Sequence, residues 1–158
     1  MTTDARARRI DFASRVIGAS PETLYRAFVD PASLLRWLPP SGMKAELERF
    51  EPREGGTYRM VLRYEGVEHP PGKSSEHSDV VEGRFVELVP DVRVVQDVDF
   101  VSNDPAFAGT MRMTWSLIRV AAGTEVAIAC ENVPDGISKA DHDAGLKSSL
   151  ENLAAFVE

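Results

Sequence analysis

The sequence predicts an α+β domain in which an antiparallel sheet of about seven strands receives a long C-terminal helix. Three observations predict it. Short runs of alternating apolar and polar residues recur between turn signals, and two helix start signals follow the first of these runs. The last segment, Ser138 to Glu158, repeats its apolar residues at helical spacing, with Leu146, Leu150, Leu153 and Val157 in one stripe. A helix of about twenty residues is roughly 30 Å long. It cannot bury that stripe against itself, so a broad apolar surface must receive it.

Taken in order, residues 1–7 are small and polar and read as a loose arm, leaving 8–158 as a single domain. Arg9 to Ile17 alternates as a half-buried strand, with Ile10, Phe12, Ser14 and Val16 on its apolar face and Arg9, Asp11 and Arg15 opposite. Ser20-Pro21-Glu22 opens a first helix whose inner stripe is Leu24, Ala27 and Phe28. Asp30-Pro31 repeats the signal and starts a second, short helix carrying Leu34, Leu35, Trp37 and Leu38, which Pro39-Pro40 ends. Met43 to Phe50 alternates until Arg49-Phe50 breaks parity, the mark of a bulge or a strand end. After the Gly55-Gly56 turn, Tyr58, Met60, Leu62 and Tyr64 line one face of the next strand. Glu65 to Asp79 is the one long polar loop, with Pro70-Pro71-Gly72 at its centre. Val80 to Val89 is a strand without a clear inward face, because Val81, Phe85, Val86 and Leu88 do not share parity. Arg93 to Val101 sets Val94, Val98 and Phe100 against Asp97 and Asp99. Met111, Met113, Trp115 and Leu117 alternate with polar residues, and Val126, Ile128 and Cys130 follow the Ala122-Gly123-Thr124 hairpin turn. Ser138 caps the final helix, with Asp141 three residues on and Asp143 adding negative charge near its start. Short connections between successive strands imply antiparallel pairing.

The 158 residues carry 18 Lys and Arg against 25 Asp and Glu, a formal charge of −7. That balance argues against a nucleic-acid or anionic-membrane surface, both of which need clustered cations. The single Cys130 excludes an internal disulfide, no secretory signal opens the chain, and no apolar run approaches the roughly 20 residues of a membrane helix. A soluble cytoplasmic protein is expected.

Several motifs in order resemble one family. They are Trp37-Leu38-Pro39-Pro40-Ser41-Gly42, Glu51-Pro52-Arg53-Glu54-Gly55-Gly56-Thr57-Tyr58-Arg59, Gly83-Arg84-Phe85 with Leu88-Val89-Pro90, and Gly123-Thr124-Glu125-Val126. With Asp141-His142-Asp143-Ala144-Gly145-Leu146 and the following Ser149-Leu150 and Leu153-Ala154, they resemble the activator-of-heat-shock-ATPase-like branch of the SRPBCC (START/Bet v-like) superfamily. Leu146 departs from that branch, which often has Trp after the Gly. The resemblance implies a helix-grip fold: a curved antiparallel sheet with two short helices after strand 1 and the long C-terminal helix packed across its concave face, enclosing a cavity. Periodicity gives the helix and the strands but not the curvature or the cavity.

Within that frame His142 and Ser149 lie seven positions apart on one edge of the buried stripe, where they would orient a ligand in an apolar pocket. The simpler alternative for His142 is a structural hydrogen bond near the helix start, between two Asp residues that favour its charged form. Trp37, Tyr58, Met60, Tyr64, Met111, Met113 and Trp115 are core residues by pattern, and the resemblance makes some of them, with Leu146, walls of the cavity. Asp97 and Asp99 could share acid–base work, but Val98 and Phe100 claim the opposite face, so a solvated surface is expected. His69, His77, His142 and Cys130 have no metal-ligand spacing, and no phosphate loop or nucleophile signature is present. No cofactor or metal is expected and no catalytic residue is visible. The leading function is binding of a small apolar or amphipathic molecule between sheet and helix. A chaperone-ATPase cofactor acting through its surface, or an enzyme on a cavity-bound aromatic or polyketide-like substrate, are the alternatives. Expected partners are the small ligand, with a chaperone or a second copy of the chain left open, and neither nucleic acid nor membrane.

Overall fold

The computed structural model describes residues 9–39, 43–64 and 78–158, apart from the side chains of Tyr64 and Ser78. Strand β1 (Ile10–Ile17) leads into helices α1 (Pro21–Val29) and α2 (Pro31–Trp37). Six strands follow: β2 (Met43–Phe50), β3 (Thr57–Tyr64), β4 (Ser78–Val89), β5 (Arg93–Phe100), β6 (Met111–Val120) and β7 (Gly123–Glu131). A 3₁₀ turn at Pro105–Phe107 precedes β6, and helix α3 (Lys139–Val157) closes the chain. The sheet is antiparallel with strand order β1-β7-β6-β5-β4-β3-β2, so β2 to β7 form a meander and β1 joins its far edge beside β7.

The helix starts follow from their caps. Ser20 Oγ accepts from the backbone N–H of Thr23 at 3.2 Å. Asp30 serves both helices, giving its N–H to the Arg26 carbonyl at the end of α1 and accepting from the N–H of Ser33 at the start of α2. Because one residue performs both tasks, α2 turns away with no linker and brings Trp37 back over α1, where its Nε1–H donates to the Ala27 carbonyl at 2.9 Å. Ser138 Oγ accepts from the Asp141 N–H at 3.1 Å and starts α3. The buried face of α3 is Leu146, Leu150, Leu153 and Ala154, and these join the inward side chains of the sheet and of α1 and α2 in one core.

Two bulges explain the broken parities. In β2 the register against β3 shifts between Leu47 and Arg49, as the break at Arg49-Phe50 predicts. In β4 it shifts between Phe85 and Glu87, so Val86 is the extra residue. Gly83 and Phe85 are buried before the bulge, and Leu88, packed against the core after it, has the opposite parity. This is why no single alternation fits the segment.

The first strand corrects the expectation. Ile10, Phe12 and Val16 are 55%, 57% and 48% exposed, whereas Asp11, Ala13 and Ile17 face the core. Pairing places Asp11 opposite Cys130, Ala13 opposite Ile128 and Ile17 opposite Thr124, all buried residues of β7. A one-residue change of register would turn every side chain to the other face, so the pairing with β7 overrides the apolar count of β1. Of the expected polar loop, residues 65–77 lie outside the described residues, as does the arm 1–7. Asp79 belongs to β4, opposite Leu62. No helix among the described residues is long and apolar enough to cross a membrane.

Candidate ligand site between the sheet and the C-terminal helix

Between the inner face of the sheet, α2 and the first half of α3 lies an apolar pocket of about 260 Å³. Trp37, Tyr58, Met60, Met113, Trp115, His142, Leu146 and Ser149 all contribute to its wall. The side chain of Tyr64, also expected there, is outside the described residues. Helical spacing accounts for the α3 side: His142, Gly145, Leu146 and Ser149 fall at i, i+3, i+4 and i+7 and present one edge of the helix. Met111 lines the pocket too, as do residues that pattern reading assigned to the core or to no role, including Phe28, Leu34, Phe85, Gln96, Val98 and Phe100.

Two aromatic groups hold the walls. Phe28, Trp37 and Trp115 meet edge-on or tilted at centroid distances of 4.9 to 5.9 Å. Phe50, Tyr58 and Phe85 form the second group at 5.4 to 6.3 Å. Such pairs add roughly 0.5–1.5 kcal/mol each beyond their buried area. Tyr58 reaches across β4 because Gly83 lies beneath its ring; a Cβ there would sit 2.1 Å from the ring carbon Cζ. Its hydroxyl donates to Gln96 Oε1 at 3.4 Å, and burial pushes the phenol pKa upward, so the proton stays on. Gln96 was legible in principle, since it shares parity with Val94, Val98 and Phe100 on β5.

His142 makes a structural hydrogen bond at the start of α3, and its partner is not one of its Asp neighbours in sequence. Its Nδ1 lies 2.6 Å from Oδ2 of Asp11, 131 positions earlier on β1. Arg9 donates to both oxygens of Asp11 at 3.1 and 2.8 Å, and Lys139 reaches Oδ1 at 3.4 Å while also touching Asp143. Burial alone would raise the Asp11 carboxyl, but the bonds from Arg9 and His142 together outweigh it and hold the group well below the carboxylate range. Asp11 is therefore an anion, fully buried and fully partnered. Sequence reading missed it because Asp11 sits on what counts as the polar face of β1.

Asp97 and Asp99 lie on the opposite, outer face. Arg112 donates to both oxygens of Asp97 at 2.8 and 2.9 Å, and Thr110 donates to Asp99 at 2.6 Å. An open polar depression there, lined also by Arg49, Thr57, Glu82, Gly83 and Arg84, holds charges that mostly pair with one another. Burial pushes the Cys130 thiol up to about 12, so it is no nucleophile at neutral pH. Among the described residues no cluster of three or more His, Cys, Asp or Glu is placed to hold a metal.

A seven-stranded antiparallel sheet, two short helices after β1 and a long C-terminal helix against the sheet define the helix-grip class of the SRPBCC superfamily. The chain belongs to the family of Activator of Hsp90 ATPase homolog 1-like proteins, which it matches over residues 18–158. Among solved structures it is similar to protein CV1439 from Chromobacterium violaceum, with 33% identity over 95% of this chain and 98% of that one and a TM-score of 0.81. Mll3558 from Rhizobium loti is 26% identical over 94% and 96% of the two chains, with a TM-score of 0.71. A protein from Arthrobacter aurescens shares the fold at 16% identity, with 99% and 89% covered and a TM-score of 0.78. No curated protein matches the chain.

Proposed function

We propose that this protein binds a small apolar or amphipathic molecule in the pocket between the sheet and α3. The observation that carries the reading is the composition of the pocket wall: aromatic, Met and aliphatic side chains surround about 260 Å³, with His142, Ser149, Gln96 and the Tyr58 hydroxyl as the polar exceptions. Few well-placed polar groups in an apolar recess is the usual make-up of a small-molecule site, and the volume lies just below the roughly 300–1,000 Å³ such sites span, as suits a small ligand. Native mass spectrometry of the purified protein should detect a co-purifying small molecule. Titration with a hydrophobic dye or a fatty acid should saturate at a defined stoichiometry, perturb Trp37 and Trp115 fluorescence, and raise the melting temperature by mass action. The reading is lost if no ligand in such a panel binds and a crystal structure finds the space filled by side chains.

A second reading takes the family name at its word and makes the chain a cofactor of a chaperone ATPase. Its support is the outer face of β1, where Ile10, Phe12 and Val16 stand exposed. A Phe12→Ser variant that lost stimulation of a chaperone ATPase while keeping dye binding would favour this surface role.

A further inference from the structure

We infer that the pocket selects uncharged molecules that carry a hydroxyl group, which donates its hydrogen bond to Nε2 of His142, together with a carbonyl acceptor that takes the amide N–H of Gln96. The inference rests on the ligand-binding reading above and deepens it. An ionised carboxylate can only accept hydrogen bonds. Asp11 is ionised, and Nδ1 of His142 lies 2.6 Å from its Oδ2, so Nδ1 carries the proton. In the neutral ring that leaves Nε2 as the acceptor, on the side of the imidazole turned away from Asp11. His142 is on the pocket wall and Asp11 is not, and with Nδ1 held by Asp11, Nε2 is the ring nitrogen left for a ligand. The His142 side chain is 12% exposed, and among the described residues nothing donates to Nε2.

Gln96 supplies the complementary group. It is 8% exposed, lies on the pocket wall, and its Oε1 accepts from Tyr58, while no described residue accepts from its NH2 group. A buried donor without a partner is costly, and a ligand acceptor would remove that cost. Charge supports an uncharged ligand. No Lys, Arg, Asp or Glu among the described residues lines the pocket, so a carboxylate or ammonium would enter unpaired. The two cations that share Asp11 with His142 are engaged: Arg9 with Asp11, and Lys139 with Asp11 and Asp143.

The test uses the full chain at pH 8 with four two-ring probes: naphthalene, 2-naphthol, 6-hydroxy-2-naphthaldehyde and 2-naphthoate. The expected order of affinity has the hydroxyaldehyde first, 2-naphthol next and about 3- to 10-fold tighter than naphthalene, the yield of one neutral hydrogen bond, and 2-naphthoate last. His142→Phe, which keeps a ring in place, should abolish the affinity advantage of 2-naphthol over naphthalene, whatever the change in naphthalene binding itself. Gln96→Leu should erase the affinity gain of the hydroxyaldehyde over 2-naphthol. Nitrogen-15 NMR of labelled histidine in the unmutated protein should find the proton on Nδ1 and should shift the Nε2 signal when 2-naphthol is added, a readout that survives if a variant fails to fold. An Nε2–H tautomer, tighter binding of 2-naphthoate than of 2-naphthol, or a hydroxyl preference that persists in His142→Phe would each overturn the inference. Naphthalene binding without any gain from the hydroxyl overturns it alone, whereas failure of all four probes overturns the ligand-binding reading with it.

Discussion

Asp11 and Gly83 are the two residues whose chemistry reaches furthest. Arg9, Lys139 and His142 surround the buried Asp11 carboxylate, so it joins β1 to the first turn of α3. Its pKa in the folded chain is depressed below the ordinary 3.8. A depressed carboxylate stabilises the fold at pH values above 3.8, and the contribution is lost as pH falls through the lower folded value. Asp11→Asn should therefore be less stable than the parent by about 3–5 kcal/mol at pH 7, with the gap narrowing as pH drops from 5 toward 2. Thermal melts across that window check it, and parallel pH profiles for the two proteins would count against the cluster. At Gly83 the constraint is space rather than backbone angle. Gly83→Ala would put a methyl group into the Tyr58 ring, and overpacking of this kind costs about 1–3 kcal/mol. The variant should melt lower and lose part of its dye binding, because Tyr58 forms a wall of the pocket.

Among the elements, α3 and β1 behave in opposite ways under substitution. Leu150 is 1% exposed at the centre of the helix–sheet core. Leu150→Asp leaves an unpaired charge there and should cost more than about 4 kcal/mol, enough to destabilise the domain badly and to unfold it if its stability lies near the low end of about 5 kcal/mol. Glu151, one residue on and exposed, should tolerate Ala within about 0.5 kcal/mol. In β1 the large apolar residues are the dispensable ones. Phe12→Thr should leave the melting temperature nearly unchanged, whereas Ala13→Asp, on the inward face opposite Ile128, should be severely destabilising. Equal melts for the two β1 variants would mean that the strand pairs with β7 in another register.

At the scale of the whole molecule, the pocket exists because a sheet and a helix meet with their larger side chains on either side of a gap. Leu146 is buried on the α3 side of that gap. Leu146→Trp should fill part of it, weaken binding of bulky dyes more than of naphthalene-sized probes, and leave the fold intact. Calorimetric melts together with titrations of two probes of different size measure this. Unfolding of the variant would mean that the space is too tight to accept the added ring.

Local pattern determined most of the architecture. The caps at Ser20, Asp30 and Ser138 and the helical repeat of Leu146, Leu150 and Leu153 lie within a few residues of what they control. So do the alternations in β3, β6 and β7, and nearest neighbours are enough to set them. The edge of α3 that carries His142 and Ser149 was legible for the same reason, and the motifs running from Trp37 to Ala154 pointed to the family. The face of β1 was not legible. Its outcome depends on pairing with β7 more than a hundred residues away, where Cys130 and Ile128 need Asp11 and Ala13 opposite them. The bulge at Val86 hid the inward face of β4 by changing parity midway. Asp11 with His142, and Tyr58 over Gly83 with Gln96, are contacts between residues far apart in the chain. No periodicity encodes them, because they arise only when the sheet closes on the helix and buried polar groups must find partners or face the pocket.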